Sequence, residues 1–191
     1  MLNLPNIITL ARIAAVPVLV MLLFEDDRQV SFWAAFVFSL AAITDWLDGY
    51  LARKMQVVTV LGKFLDPLAD KLIVMAALIM LIPMGRVPAW AVFCILAREM
   101  VVTGLRSIAS SQGIVIEASQ WGKYKTIFQM VAIIGLLLHY DYYWFFGLQW
   151  EVVHVNMHNA GIFFFYIAMV LTIWSGIDYL MKFFRSVLVK T

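Results

Sequence analysis

The sequence predicts an all-α integral membrane protein, a single bundle of six transmembrane helices with both termini in the cytoplasm. Three observations carry that expectation. Of 191 residues, 64% are hydrophobic and only 14% charged, whereas a soluble domain is nearer half apolar and a quarter charged. The mean hydropathy is +0.91, which suits hydrocarbon rather than water as solvent. Basic residues gather in alternate connections between the apolar runs, the pattern that orients helices in a bilayer. One crossing takes about 20 residues, so six fill roughly 120 and leave short connections. Residues 1–191 are therefore expected to form one membrane domain.

In chain order, the first apolar run covers residues 6–24. It contains Arg12 and lacks a short apolar region followed by a small-residue cleavage site, so it reads as a retained helix rather than a signal peptide. EDDRQ separates it from the second run, 31–51, and the basic stretch ARKMQVVTVLGK leads to the third, 64–82. Pro67 suits the first turn of that helix, where a missing N–H costs little; otherwise it kinks a helix that begins earlier. PMGR precedes the fourth run, 88–110, SQGIVIEAS the fifth, 121–139, and DYYWFFGLQWEVVHVNMH the sixth, 159–184. Tyr142, Tyr143, Trp144, Phe145, Phe146 and Trp150 make that last connection an expected interfacial aromatic belt. His154 and His158 have a metal-ligand spacing, but no cysteine or clear carboxylate accompanies them, and loop histidines facing water are the plainer reading. Cys94 is the single cysteine and reads as a small buried hydrophobe.

Arg53, Lys54, Lys63, Lys123, Lys125, Lys182, Arg185 and Lys190 fall on one side of this arrangement, and Arg28 and Arg86 on the other. The richer side is the cytoplasmic one. A net charge of +2 gives no pull towards nucleic acid, and no nucleic-acid partner is expected.

The stretch TDWLDGYLARKMQVVTVLGKFLDPLADK, Thr44 to Lys71, concentrates acids beside hydrocarbon. Asp45 and Asp48 lie three apart at the end of the second helix, Asp66 and Asp70 four apart at the start of the third, so each pair shares a face. A short connection brings these helices together, and the four carboxylates converge near the cytoplasmic rim. Clustered negative charges repel one another, and one or two divalent cations remove the conflict. Hard cations such as Mg²⁺ take carboxylate and phosphate oxygens together. Two of them about 3.5–4 Å apart stabilise the attacking and leaving oxygens of an in-line displacement at phosphorus. Simple pairing with Arg53, Lys54, Lys63 and Lys71 accounts for one or two such acids, but poorly for four on two faces. Gly49 and Ala52 leave a notch where a flat base or a diphosphate approaches the backbone, although each alone also suits close helix packing.

Asp45-x2-Asp48-Gly49-x2-Ala52-Arg53-x8-Gly62-x3-Asp66-x3-Asp70 resembles the full signature of the CDP-alcohol phosphatidyltransferases. The resemblance implies a six-helix membrane fold, a homodimer, and dependence on Mg²⁺ or Mn²⁺, two ions in the in-line scheme. It implies transfer of a phosphatidyl group from a CDP-lipid to an alcohol with release of CMP. By the same resemblance Asp45, Asp48, Asp66 and Asp70 are metal ligands, and Asp70 is also the base for the acceptor hydroxyl. Gly49, Ala52 and Arg53 would line the CDP site, and Gly62 would allow close passage of the chain. A CDP-lipid such as CDP-diacylglycerol keeps its acyl chains in the bilayer and its diphosphate at headgroup depth, so a helix rim is where it presents phosphorus. The expected location is the bacterial inner (cytoplasmic) membrane, multi-pass, with the site facing the cytoplasm.

Glu99, Thr103 and Arg106 fall on one stripe of the fourth helix. Arg98 sits deeper, where ionisable groups face a bundle interior or a wet cavity. GKYKT places Lys123, Lys125 and Thr126 at the cytoplasmic level. Arg106 and Lys123, with Lys125 beside them, suggest a pocket for a second anion. The alternative, snorkelling anchors, suits Lys182, Arg185 and Lys190 better than Arg98 and Arg106. LPNIITLAR, AREMVVTGLR and ASQWGKYKT resemble the bacterial phosphatidylglycerophosphate synthases, whose acceptor is sn-glycerol 3-phosphate. The cardiolipin-synthase branch, with phosphatidylglycerol as acceptor, shares much of this layout. Asn6 and Thr9 either touch the CDP-lipid or cap the first helix. A cation transporter, the reading from another class, predicts acids near the midplane in two related halves, and neither feature is present in the sequence.

Overall fold

The computed structural model describes residues 4–55, 60–114, 116, 120–145 and 152–188, with backbone alone at 4–6, 45–55, 60–64, 66, 67, 142–145, 152–155, 187 and 188. Among the described residues there are six helices: α1 (Leu4–Leu22), α2 (Arg28–Met55), α3 (Val60–Leu81), α4 (Ala89–Ser111), α5 (Gln120–Leu138) and α6 (Met157–Leu188). Each apolar run has become one helix. Three ends differ from expectation by four residues, one of them the end of α6, which runs on to Leu188. Helix α2 continues through Met55 and α3 starts at Val60, so most of the basic stretch is helical and Pro67 lies inside α3 rather than in its first turn.

Local chemistry explains the boundaries. Asp27 caps α2, its carboxylate accepting the Gln29 N–H at 2.8 Å. Helices α3 and α4 both end on a left-handed glycine, Gly85 (φ +67°) and Gly113 (φ +69°). At each end the two bonds of a Schellman motif form: Arg86 N–H to Leu81 O and Gly85 N–H to Ile82 O, then Ile114 N–H to Ala109 O and Gly113 N–H to Ser110 O.

The helical class gains one feature that the sequence did not announce. Asp141–Phe145 (β1) and Val152–Asn156 (β2) pair antiparallel, with Tyr143 opposite His154 and Phe145 opposite Val152. The expected aromatic loop is thus partly a ribbon. Aromatic and β-branched residues on both sides, DYYWF against VVHVN, favour extended pairing. His154 stands in β2 and His158 in α6, so they do not share a helical face. His158 instead meets His139, Nδ1 to Nδ1 at 3.2 Å.

The main core runs through the bundle. Leu19, Phe38, Leu78, Ile95, Leu136 and Phe165, one from each helix, are buried together. Helix α1 packs along both α2 and α3, α5 lies against α6, and α4 against α6. Buried Ala34, Ala35, Ala77, Ala91 and Ala132 let backbones approach. Outside, Met21, Phe93, Met100, Phe163, Val170 and Trp174 are exposed, a surface for hydrocarbon rather than water. Within α6, Met157–Ser186 (30 residues) is long and apolar enough to cross a bilayer.

Two points fix the packing at the end remote from the aspartates. Arg86, 1% exposed, donates to Leu136 O (3.1 Å) and Leu137 O (2.9 Å), the spare carbonyls at the end of α5, and to Ser31 Oγ (2.9 Å) and Asp26 Oδ1 (2.5 Å). This residue, met in the sequence only as an outside charge, joins three connections. Gly135 and Gly161 form the α5–α6 contact: a Cβ on Gly161 would lie 2.7 Å from Leu136 N. Gly161→Ala is therefore expected to lower stability by about 1–3 kcal/mol, the usual range for overpacking. The control is Gly104→Ala, where an added Cβ meets nothing within 4 Å. Thermal unfolding in detergent should show a lower midpoint for the first and none for the second; equal midpoints would contradict the contact.

Candidate active site

Helix α2 carries Asp45 and Asp48 near its C-terminal end, and α3 carries Asp66 and Asp70 in its first half. The side chains of Asn6, Asp45, Asp48, Gly49, Ala52, Arg53, Gly62 and Asp66 lie outside the described residues. Asp70 is described, half-buried, and faces a cavity. Thr9 on α1 and Arg12 one turn on are both buried, 1% and 3% exposed.

Parts of α3, α4, α5 and α6 enclose that cavity, about 1110 Å³, and it brings together Asp70, Arg98, Arg106, Lys123 and Lys125. Glu99 lines it and gathers the neighbouring cations. One carboxylate oxygen, Oε1, accepts from Lys125 Nζ and, at 3.4 Å, from Arg98. Lys71 Nζ donates to Thr103 Oγ1, and Thr103 donates on to Glu99 O at 2.7 Å. Arg98 also donates to Ser175 Oγ at 2.9 Å, and Ser175 to Thr172 O at 3.1 Å. It runs so close to α6 that a Cβ on Gly176 would lie 2.9 Å from Arg98 Cγ.

Besides Lys71, which Thr103 holds, the cations of the cavity fall into two sets. Lys125 (6% exposed) and Arg98 are held against Glu99 inside the bundle. Arg106 and Lys123 are exposed to the cavity mouth, and among the described residues neither pairs with a carboxylate. Asp178 is taken by Lys182 at 2.7 Å. Arg106 rests over the Tyr179 ring, 5.8 Å from its centroid. An anion entering the cavity meets the second set first.

A second groove, about 430 Å³, adjoins the cavity and shares Asp70, Lys71, Glu99, Thr103, Lys125 and Thr126 as a common wall. Apart from Gln129, its other walls are apolar, among them Leu72, Met75, Leu96, Met100 and Met130. Several charged side chains on one side and a mostly apolar groove on the other suit a ligand with a charged head and a hydrocarbon chain. The sequence did not single out Ser175, Gly176 and Tyr179 of α6. The usable signal was Ser175-Gly176 together in an apolar run, since small and polar residues in such helices mark contact faces.

The sequence matches the family described as CDP-alcohol phosphatidyltransferase over residues 2–174. It is 41% identical over 194 residues to a Bacillus subtilis (strain 168) CDP-diacylglycerol–glycerol-3-phosphate 3-phosphatidyltransferase, covering 95% of each chain. A Haemophilus influenzae protein of the same description is 37% identical, covering 93% of this chain and 91% of the relative. A cardiolipin synthase (CMP-forming) of Oryza sativa subsp. japonica is 37% identical across 98% of this chain and 59% of its own.

Proposed function

The chain belongs to the CDP-alcohol phosphatidyltransferase family, and from that premise we propose that it transfers the phosphatidyl group of CDP-diacylglycerol to sn-glycerol 3-phosphate. The products are phosphatidylglycerophosphate and CMP. The observation that carries the choice of acceptor is the pair Arg106 and Lys123 at the mouth of the cavity that Asp70 faces. A phosphorylated acceptor needs cations of its own beside a diphosphate and several carboxylates.

In the reaction, a hydroxyl oxygen of glycerol 3-phosphate attacks the phosphorus that carries diacylglycerol. The bond from that phosphorus to the CMP oxygen breaks, CMP leaves, and the hydroxyl proton passes to the Asp70 carboxylate. The acyl chain lies along Leu72, Met75, Leu96 and Met100 while the head occupies the polar side of the common wall. Lys125, held by Glu99, and Lys71 bring positive charge to that wall, and Arg98, held by the same Glu99, adds its own from the cavity side. Asp45, Asp48, Asp66 and Asp70 offer hard oxygen donors that fit Mg²⁺ or Mn²⁺. When bound, such ions neutralise charge on the diphosphate. Release of CMP from CDP-diacylglycerol by detergent-solubilised protein should require both glycerol 3-phosphate and one of these ions; release without the acceptor would count against the reaction.

The acceptor site gives its own expectation. Arg106 offers a planar fork to phosphate oxygens and Lys123 a movable point charge. Loss of a charge-assisted hydrogen bond costs about 1.5–3 kcal/mol, roughly 10- to 150-fold in affinity. Arg106→Ala and Lys123→Ala should raise KM for glycerol 3-phosphate by that order and leave KM for CDP-diacylglycerol nearly unchanged. Equal effects on both substrates would mean that these residues serve something other than the acceptor.

All six helices are read as crossing the bacterial inner membrane, in a homodimer, with the site on the cytoplasmic side. The asymmetry of basic residues supports the orientation. A reporter after Thr191 or between α2 and α3 should report cytoplasm, and one near Trp150 the opposite side. An external C-terminus would contradict the six crossings.

A further inference from the structure

Tyr179 on α6 is 4% exposed and packs with Val102, Ala109 and Phe183 in a small apolar cluster of its own. Its ring lies under the Arg106 guanidinium, 5.8 Å from the centroid, and forms part of the cavity wall. Its hydroxyl is buried and has no hydrogen-bond partner among the described residues. Buried phenols usually find a partner, and an unsatisfied one is destabilising. Phenylalanine would serve the cluster better, so the hydroxyl is the atom that asks for a ligand. At the mouth of the cavity it borders stand two cations, Arg106 and Lys123, that pair with no carboxylate among the described residues.

We propose, resting on the reading of this cavity as the acceptor site, that Tyr179 binds the acceptor's phosphate. Its ring stations Arg106 through a cation–π contact, and its hydroxyl donates to a phosphate oxygen once the anion is seated. A polar group left unpaired in the empty site and paired in the loaded one discriminates strongly between ligands that can and cannot satisfy it. Tyr179 then favours a phosphorylated acceptor over an unphosphorylated one, and it does so without touching the reacting hydroxyl.

The test compares Tyr179→Phe, Tyr179→Leu and Arg106→Ala in the full-length protein, by KM for each substrate and by thermal unfolding in detergent with and without glycerol 3-phosphate. Tyr179→Phe keeps the ring. It should unfold no earlier than wild type, raise acceptor KM about 10-fold or more, leave KM for CDP-diacylglycerol unchanged, and lose part of the protection that glycerol 3-phosphate gives against unfolding. Tyr179→Leu also removes the face under Arg106 and should add about 2- to 5-fold; should it fail to fold, Tyr179→Phe decides. Wild-type acceptor KM and full protection in Tyr179→Phe would overturn the assignment. If Arg106→Ala then still raises acceptor KM, Tyr179 alone has been misassigned. If Arg106→Ala changes nothing either, the acceptor reading of the cavity falls with it.

Discussion

Replacing Asp45, Asp48 or Asp66 by Asn is expected to reduce turnover by about 10²–10³-fold or more, the range for removing one preorganised group that stabilises charge in a transition state. Asn keeps the size and shape of the side chain and removes the charge. On the proposed reading the four carboxylates converge, and they would repel one another unless a cation lay among them. The variants should therefore insert, elute and unfold like wild type while activity collapses. They should also need far more Mg²⁺ or Mn²⁺ to reach half of whatever activity remains. Near wild-type turnover in variants at any two of these positions would remove the metal-holding role.

The second large effect is expected at Asp70. A positioned base contributes about 10²–10⁴-fold, and on the proposed reading Asp70 would also be a metal ligand, so Asp70→Asn should lose at least that much. It should still bind CDP-diacylglycerol, because Asp45, Asp48 and Asp66 remain. Asp70 borders both the polar cavity and the apolar groove, so it stands where an acceptor on one side and a lipid on the other would both be in reach. Equilibrium binding of the CDP-lipid separates the two roles. Affinity lost together with turnover would make Asp70 chiefly a ligand, and the base would have to be another group.

Much of this was legible in the chain because each signal was local. Hydropathy found every helix, with α4 and α5 placed to within about a residue of their ends. The aspartate spacing carried the family. The stripe Glu99, Thr103, Arg106 does line one cavity. What stayed hidden depends on partners far away in sequence. Glu99 looked like one acid on a stripe, yet it is the counterion that holds Lys125 from α5 and Arg98 in place. Arg86 looked like a stray external charge, because the carbonyls it holds belong to α5, 50 residues on. Gly161 and Gly176 are invisible to hydropathy, since a glycine that admits a neighbouring helix reads the same as one that does not. The β1–β2 ribbon was concealed by composition: the same aromatic residues suit a membrane interface and an extended strand.

The acceptor is the central claim, and it has one direct measurement. Detergent-solubilised protein is given labelled CDP-diacylglycerol with Mg²⁺ or Mn²⁺ and equal amounts of glycerol 3-phosphate and phosphatidylglycerol, and the labelled lipid product is identified. Arg106 and Lys123 at the cavity mouth predict phosphatidylglycerophosphate, with little cardiolipin. Accumulation of cardiolipin would contradict the account, since phosphatidylglycerol brings no terminal phosphate for those two cations to hold.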